Sequence, residues 1–369
     1  MPMATTGRMG TKKPLHPALP ASSWGPGASG AGTGIEHVAV LGTGAMATVC
    51  AMLLVHNGHR VRMWGHAPGT IEKLSANREQ TRLLPGTRIP AEVELTADDG
   101  AIFGGCTMVL SAVPTQYARS AWERVGDHLP DRVPVVSVSK GVENTTLFKP
   151  TEVIADVLGR RSPGPHGLGV LSGPNIAAEL ARNQTAMAVV ASTDPHMARR
   201  VQHAFTTPFF RVYTNPDVVG VEVAGATKNI IAIAAGILDG MGAGNNAKAA
   251  LVTRGLVEIT RLGLALGARE ETFMGLAGLG DLITTCVSPE GRNRSVGERI
   301  GRGEKLAEIL ASMSSVAEGV TTTRAVMELA KRHGVDMPIA RTLHAVLFES
   351  MPPKTALGQL MSREKKAER

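Results

Sequence analysis

From His37 onward, short apolar runs alternate with longer stretches of mixed polarity. The runs are His37–Leu41, Arg60–Trp64, Met108–Ser111, Pro134–Val138, Leu168–Leu171, Ala186–Val190 and Phe210–Tyr213. Near-continuous apolar runs of this length suit strands buried on both faces. Helical stretches separate most of them, which predicts an α/β fold with an open, mostly parallel sheet and right-handed crossovers. After Thr214-Asn215-Pro216-Asp217 the strand pattern stops. Helices are predicted at Ala247–Leu266, Leu306–Ser312, Thr321–His333 and Ile339–Glu349, the third ending at Gly334, a natural C-terminal cap. The expected organisation is a sheet domain over residues 35–214 and an all-helical domain over 215–350. A disordered tail over 1–34 and a charged tail over 351–369 flank them.

One stretch dominates the helical half, Val218 to Leu238. It is apolar on every side, so it reads as a helix through the middle of a core, and its Ala and Gly residues let neighbouring backbones come close. Its two charged side chains, Glu222 and Lys228, fall on different faces. Lys228 has Ala224 and Ala232 at helix-neighbour spacing, so no local acid neutralises it. Two readings stay open. Dry surroundings push a lysine pKa down and make it a proton carrier near neutral pH. Alternatively, the side chain snorkels its ammonium to water.

The charge balance narrows the class. The chain has 369 residues and a net charge of +7. The first 34 residues carry +3 and the last 16 another +3, leaving the body at +1. A nearly neutral body gives no reason to expect a nucleic-acid partner. Cys50, Cys106 and Cys286 lie far apart without metal-ligand spacing, as expected for buried thiols in a reducing cytosol. No metal is expected. No apolar run reaches bilayer-spanning length without Gly, Lys or Glu interrupting it, and the first 34 residues lack the apolar core of a secretory signal.

Chemistry enters at Gly42-Thr43-Gly44-Ala45-Met46-Ala47, which follows the first strand and opens a helix. Strand, G-x-G-x-x-A, helix is the dinucleotide fingerprint of a Rossmann-type domain, whose glycines let a pyrophosphate approach the helix N-terminus. The second strand ends in Trp64-Gly65-His66, without the acid that holds an NAD ribose, so NADP is not excluded. His66 either meets a 2′-phosphate or is a plain loop histidine. Ligands of such sheets bind beyond the carboxyl ends of the strands. Ala112–Gln116, Ser139–Glu143 and Ser172–Asn175 lie there, and Lys140 is placed for an anion unless it is simply solvated. Among the helices, Gly278–Ser295 reads as a Gly-rich loop ending in Arg292-Asn293-Arg294. An Arg beside an amide suits a phosphate dianion; the alternative is a surface loop with solvated arginines.

Four motifs together, Gly42–Ala47, Ser139-Lys140-Gly141, Gly220–Asn229 and Asp281–Asn293, resemble the bacterial form of the NAD(P)-dependent glycerol-3-phosphate dehydrogenase family. The resemblance extends over roughly residues 35–350 and implies interconversion of sn-glycerol 3-phosphate and dihydroxyacetone phosphate with NAD or NADP. It implies Lys228 as the catalytic proton carrier. Lys140, Gly173, Asn175, Lys228, Asp281, Gly291, Arg292 and Asn293 would meet the substrate. Gly42, Gly44, Ala45, Met46, Ala47, His66, Lys140, Ala177, Arg292, Val316 and Glu318 would meet the cofactor. It further implies a cytoplasmic homodimer feeding glycerophospholipid synthesis. Met46 stands where the family often has an aromatic, and Gly291 where bacterial members often have Ser. Two alternatives are a related β-hydroxyacid dehydrogenase and a non-catalytic nicotinamide sensor. Against the first, position 232, one turn past the lysine, is Ala rather than Asn.

Overall fold

A computed structural model describes residues 34–160, 166–313, 316–364 and 367. The disordered tail expected over residues 1–34 lies outside the described residues except for Gly34. The first half runs β1 (His37–Leu41), α1 (Ala45–His56), β2 (Arg60–Trp64), α2 (Pro68–Asn77), β3 (Val93–Thr96), β4 (Met108–Ser111), α3 (Thr115–Val125), β5 (Val135–Ser137), α4 (Pro150–Gly159), β6 (Leu168–Ser172), α5 (Ala177–Ala181), β7 (Ala186–Ser192), α6 (Pro195–Phe205) and β8 (Phe210–Asn215). The sheet order is β3-β2-β1-β4-β5-β6-β7-β8. β1 and β4 run parallel, but the order in which strands are added reverses between them, the switch point where such sheets bind ligands. Among the described strands, only the β6–β7 pair is antiparallel. The chain from Gly173 to Thr185 therefore turns at one end of the sheet, which keeps Gly173, Asn175 and Ala177 at its carboxyl edge. β3 has no counterpart among the predicted strands. It is a short edge strand with one fully buried residue of four, so its apolar signal is weak.

The second half is helical: α7 (Val218–Gly240), α8 (Gly244–Ala265), α9 (Glu270–Met274), α10 (Asp281–Val287), α11 (Arg292–Gly301), α12 (Leu306–Ser312), α13 (Glu318–Arg332), α14 (Pro338–Phe348) and α15 (Pro353–Met361). α7 is long and apolar enough to cross a membrane by composition, yet most of it is buried within the protein. It packs against α8, α10, α11 and α13, and against β6 of the sheet domain. The close approach expected of its small residues is extreme at α11. A Cβ on Gly236 would lie 2.0 Å from the Arg294 carbonyl, and one on Gly297 1.9 Å from that of Ile233. Two backbones this close leave no room for a methyl group.

Two expectations need correction. Gly278–Ser295 is not a loop. A π-helical turn over Leu276–Gly280 leads into α10, and α11 begins at Arg292. The glycines that look like loop residues are there for contact; a Cβ on Gly278 would meet the Phe273 carbonyl at 2.1 Å. The 351–369 stretch is not only a charged tail either. Its first part forms α15, which docks on α14 and buries Ala356.

Glu222 ties the two halves together. Its carboxylate accepts from the Thr151 backbone N–H at 2.9 Å and from the Thr151 hydroxyl at 2.6 Å, in the first turn of α4. Burial pushes its pKa up to about 7, against the pull of the Thr151 hydrogen bonds. A raised carboxyl pKa gives stability that is present below the unfolded value near 4.5 and lost as pH rises through 7. Glu258 on α8, also raised to about 7 by burial, acts in the same sense. Between pH 4.5 and 8 each accounts for roughly 3 kcal/mol of lost stability. Glu222→Gln is expected to remove about half of that pH dependence in urea melts. An unchanged slope would show that Glu222 keeps its ordinary pKa.

Candidate active site

The cofactor side is built by the β1–α1 turn. Gly42 has φ +114°, and a Cβ there would sit 2.8 Å from the Ala112 carbonyl after β4. Only glycine meets both conditions. Gly44 is the N-cap of α1, with extended φ and ψ, no side-chain cap and no acid in the first turn. A Cβ on Gly44 would meet nothing within 4 Å, so its open side leaves space above the helix N-terminus. The first turn, Ala45, Met46 and Ala47, thus presents helix N–H groups and the positive end of the dipole to that space. Ala47 is buried in the sheet-domain core and Met46 is packed against it. These features fit the pyrophosphate of a dinucleotide. His66 is exposed just past β2, and its carbonyl accepts from Arg124 at 2.9 Å. No acid takes its place at the strand end.

The centre lies where the two halves meet. Gly42 touches Ala112; Val113, next in the chain, accepts from the Ser139 hydroxyl; and Lys140 follows. Lys140 Nζ donates to Asp281 Oδ2 at 2.7 Å and to the Gly173 carbonyl at 3.2 Å. Lys228 Nζ donates to the other oxygen of the same carboxylate, Asp281 Oδ1, and to Thr285 Oγ1 at 2.6 Å. Asp281 is 1 % exposed and Lys228 6 %. The open question about Lys228 is thereby answered: the ammonium stays inside. Burial lowers its pKa to about 8, the charge of Asp281 opposing that drop and the charge of Lys140 adding to it. The acid that sequence neighbours did not supply comes from 53 residues away.

Thr285 was not singled out as a site residue, although it lies one helical turn beyond Asp281 on α10 and so shares its face. That i,i+4 spacing is the signal that finds it. Two further hydroxyls, Thr115 Oγ1 and Thr322 Oγ1, are buried without a hydrogen-bond partner among the described residues. Both lie beside Gly141, where an added Cβ would be 3.0 Å and 3.3 Å from them. No sequence feature marks them.

The third side is the start of α11. Gly291 is its N-cap, and Arg292 is exposed in its first turn. Asn293 is buried, and its Oδ1 accepts from the Gly319 backbone N–H at 3.0 Å, tying α11 to α13. Arg294 has a structural task, donating to Asp239 on α7 at 2.7 Å. Glu318 opens α13 and accepts, at 3.4 Å, from the Thr115 N–H at the start of α3. Burial raises the Glu318 pKa; Arg292, Lys140 and Lys228 oppose that rise, so all three cations act on one carboxylate. Val316 is exposed just before α13, and Ala177 opens α5 against the sheet-domain core. Asn175 points its amide nitrogen at the Met187 carbonyl, 3.0 Å away, bracing the turn after β6 against β7.

An uncapped helix N-terminus, two lysines on one buried acid and an arginine at a third side form a single site at the carboxyl edge of the sheet. Two family models match in tandem, the N-terminus of NAD-dependent glycerol-3-phosphate dehydrogenase over residues 37–198 and its C-terminus over 217–358. The chain belongs to the NAD-dependent glycerol-3-phosphate dehydrogenase family. Similar members include glycerol-3-phosphate dehydrogenase [NAD(P)+] of Geobacter sp. (strain M21), 47% identical over 90% of this chain and 99% of that one. The Geobacillus kaustophilus protein of the same name is also 47% identical, over 90% and 96%. Among solved structures, glycerol-3-phosphate dehydrogenase from Coxiella burnetii superposes with a TM-score of 0.85 at 33% identity, covering 89% of this chain and 99% of its own. The glycerol-3-phosphate dehydrogenase family thus accounts for both halves of the chain.

Proposed function

We propose that this protein interconverts sn-glycerol 3-phosphate and dihydroxyacetone phosphate with NAD or NADP. The observation that carries the reading is Asp281, one buried carboxylate gripped on opposite oxygens by Lys140 and Lys228. A lysine amine with a pKa of about 8 exchanges protons in the neutral range. The Gly42–Ala47 turn would hold the cofactor pyrophosphate, with His66, Ala177, Val316 and Glu318 around it. When bound, the nicotinamide supplies or accepts the hydride.

Lys228 Nζ does the proton chemistry. In the oxidative direction it accepts the proton of the C2 hydroxyl; in reduction it returns that proton to the carbonyl oxygen. Asp281 holds the amine in place together with Thr285. Lys140 presents its ammonium to the substrate oxygens while spanning Gly173 and Asp281. Arg292 takes the phosphate, its guanidinium being exposed and without a hydrogen-bonded partner among the described residues. Asn293 and Gly291 set the orientation of that arginine at the helix start. The same reading includes a cytoplasmic homodimer that provides the glycerol phosphate backbone of phospholipids; the names of the relatives support the chemistry of that role.

The direct test is oxidation of NADH or NADPH on adding dihydroxyacetone phosphate. Cofactor binding without turnover would favour a nicotinamide sensor instead. Arg292→Ala is expected to raise KM for dihydroxyacetone phosphate roughly 10- to 100-fold, the value of a charge-assisted contact. Dihydroxyacetone without its phosphate should be used equally poorly by both forms. If the variant handles the phosphorylated substrate normally, the phosphate sits elsewhere.

A further inference from the structure

The far side of α7 carries a second cavity, away from the lysine centre. A groove of ≈ 570 Å³ runs between α7, α8, α14 and α15, within the range of small-molecule sites. Its walls are mainly aliphatic, among them Ile237, Leu238, Leu251, Leu343, Val346 and Leu360. α15 docks on α14 and closes one wall of the groove.

The lining also carries charge, Arg254, Arg261 and Arg363 against Glu258 and Glu364. Arg254 on α8 is half-buried and has no hydrogen-bond or ion-pair partner among the described residues. The acid one turn along, Glu258, does not serve it. Both its oxygens are spent on the first N–H groups of α14, Ile339 at 2.7 Å and Ala340 at 3.3 Å. Arg363, also at the groove, is paired with Asp336 at 2.9 Å. Arg261, exposed on the same face of α8, adds positive charge. A half-buried guanidinium against aliphatic walls lacks the anion that such a group ordinarily meets.

We infer that this groove binds a single-chain anionic amphiphile, its carboxylate or phosphate head on Arg254 and its alkyl tail along α7 and α14. Apolar walls with Arg254 and Arg261 on the α8 side match a ligand with one anionic end and a long apolar remainder. The groove is separate from the catalytic residues, so the inference stands or falls independently of the proposed reaction.

Dodecanoate, kept below its micellar concentration, is the probe, titrated calorimetrically into the full-length protein. Saturable binding of one molecule per chain is expected. Acetate, which has the head alone, and dodecyltrimethylammonium, which has the tail with opposite charge, should each bind at least 10-fold more weakly. Arg254→Met keeps the apolar stem and removes the charge; it should weaken dodecanoate at least 10-fold and leave the cationic amphiphile unchanged. Ala247→Phe fills the groove from α8 and should abolish binding of dodecanoate. Absence of saturable binding, equal affinity for the anionic and cationic amphiphiles, or indifference to both substitutions overturns the inference. So does sedimentation showing that the groove is covered by a second copy, with Ala247→Phe breaking a dimer that dodecanoate leaves intact.

Discussion

Lys228→Ala is expected to lower kcat for dihydroxyacetone phosphate reduction by ~10²–10⁴-fold, the usual contribution of a positioned acid–base group. NADH affinity, read from its fluorescence, should not change, because the amine is not part of the Gly42–Ala47 turn. The pH profiles carry the more specific signature. The amine titrates at about 8, chiefly because burial disfavours its charged form. Oxidation needs the neutral amine, so kcat/KM in that direction should rise with pH and level off above about 8. Reduction needs the ammonium and should fall over the same interval. Two profiles crossing in this way point to one group working in both directions. Full activity in Lys228→Ala would end its role as proton carrier.

Asp281→Asn should be nearly as damaging for a different reason. Among the described residues the carboxylate is the only acid bonded to either lysine, and it neutralises one of the two ammonium groups. Removing one partner of a buried charge pair typically costs roughly 3–5 kcal/mol. The site can relieve that cost by releasing the Lys228 proton, since the charge of Asp281 is what holds its pKa up against burial. The variant should therefore show a reduction profile displaced to lower pH, along with a loss of roughly 10²-fold or more at pH 7. Asp281→Glu should restore the profile in part, because it keeps the charge and displaces it. A variant profile that overlays the native one would mean that Asp281 leaves the proton affinity of Lys228 untouched.

Much of this arrangement is legible along the chain because its signals are local. Strands buried on both faces must be apolar over several consecutive residues, so β1, β2 and β4 stand out at their observed bounds. A turn that brings backbone to a pyrophosphate needs glycine where φ is positive, and Gly42 shows it. The long apolar helix announces itself by having no polar face, and α7 begins at Val218 as its pattern requires.

The sequence is a poor guide where a residue's identity answers to a distant neighbour. Glycines of Gly278–Ser295 look like loop because glycine is a weak helix former. Here Gly278 lies in a helical turn, since contact with Phe273 excludes any side chain there, and Gly291 is the N-cap of α11. The helix α15 is short and lies in a charged stretch; only α14 gives its apolar residues something to cover.

By itself, then, the sequence determined a dinucleotide turn on a parallel sheet, a helical second half and a lysine in apolar surroundings, since each depends on residues within a few positions of one another. Only the tertiary structure decided that Lys228 stays inside rather than reaching water, that Asp281 is shared with Lys140, and that Thr285 completes the grip. The physical reason is that a buried charge is stabilised by whatever opposite charge folding brings within hydrogen-bond reach, and chain order does not encode that distance.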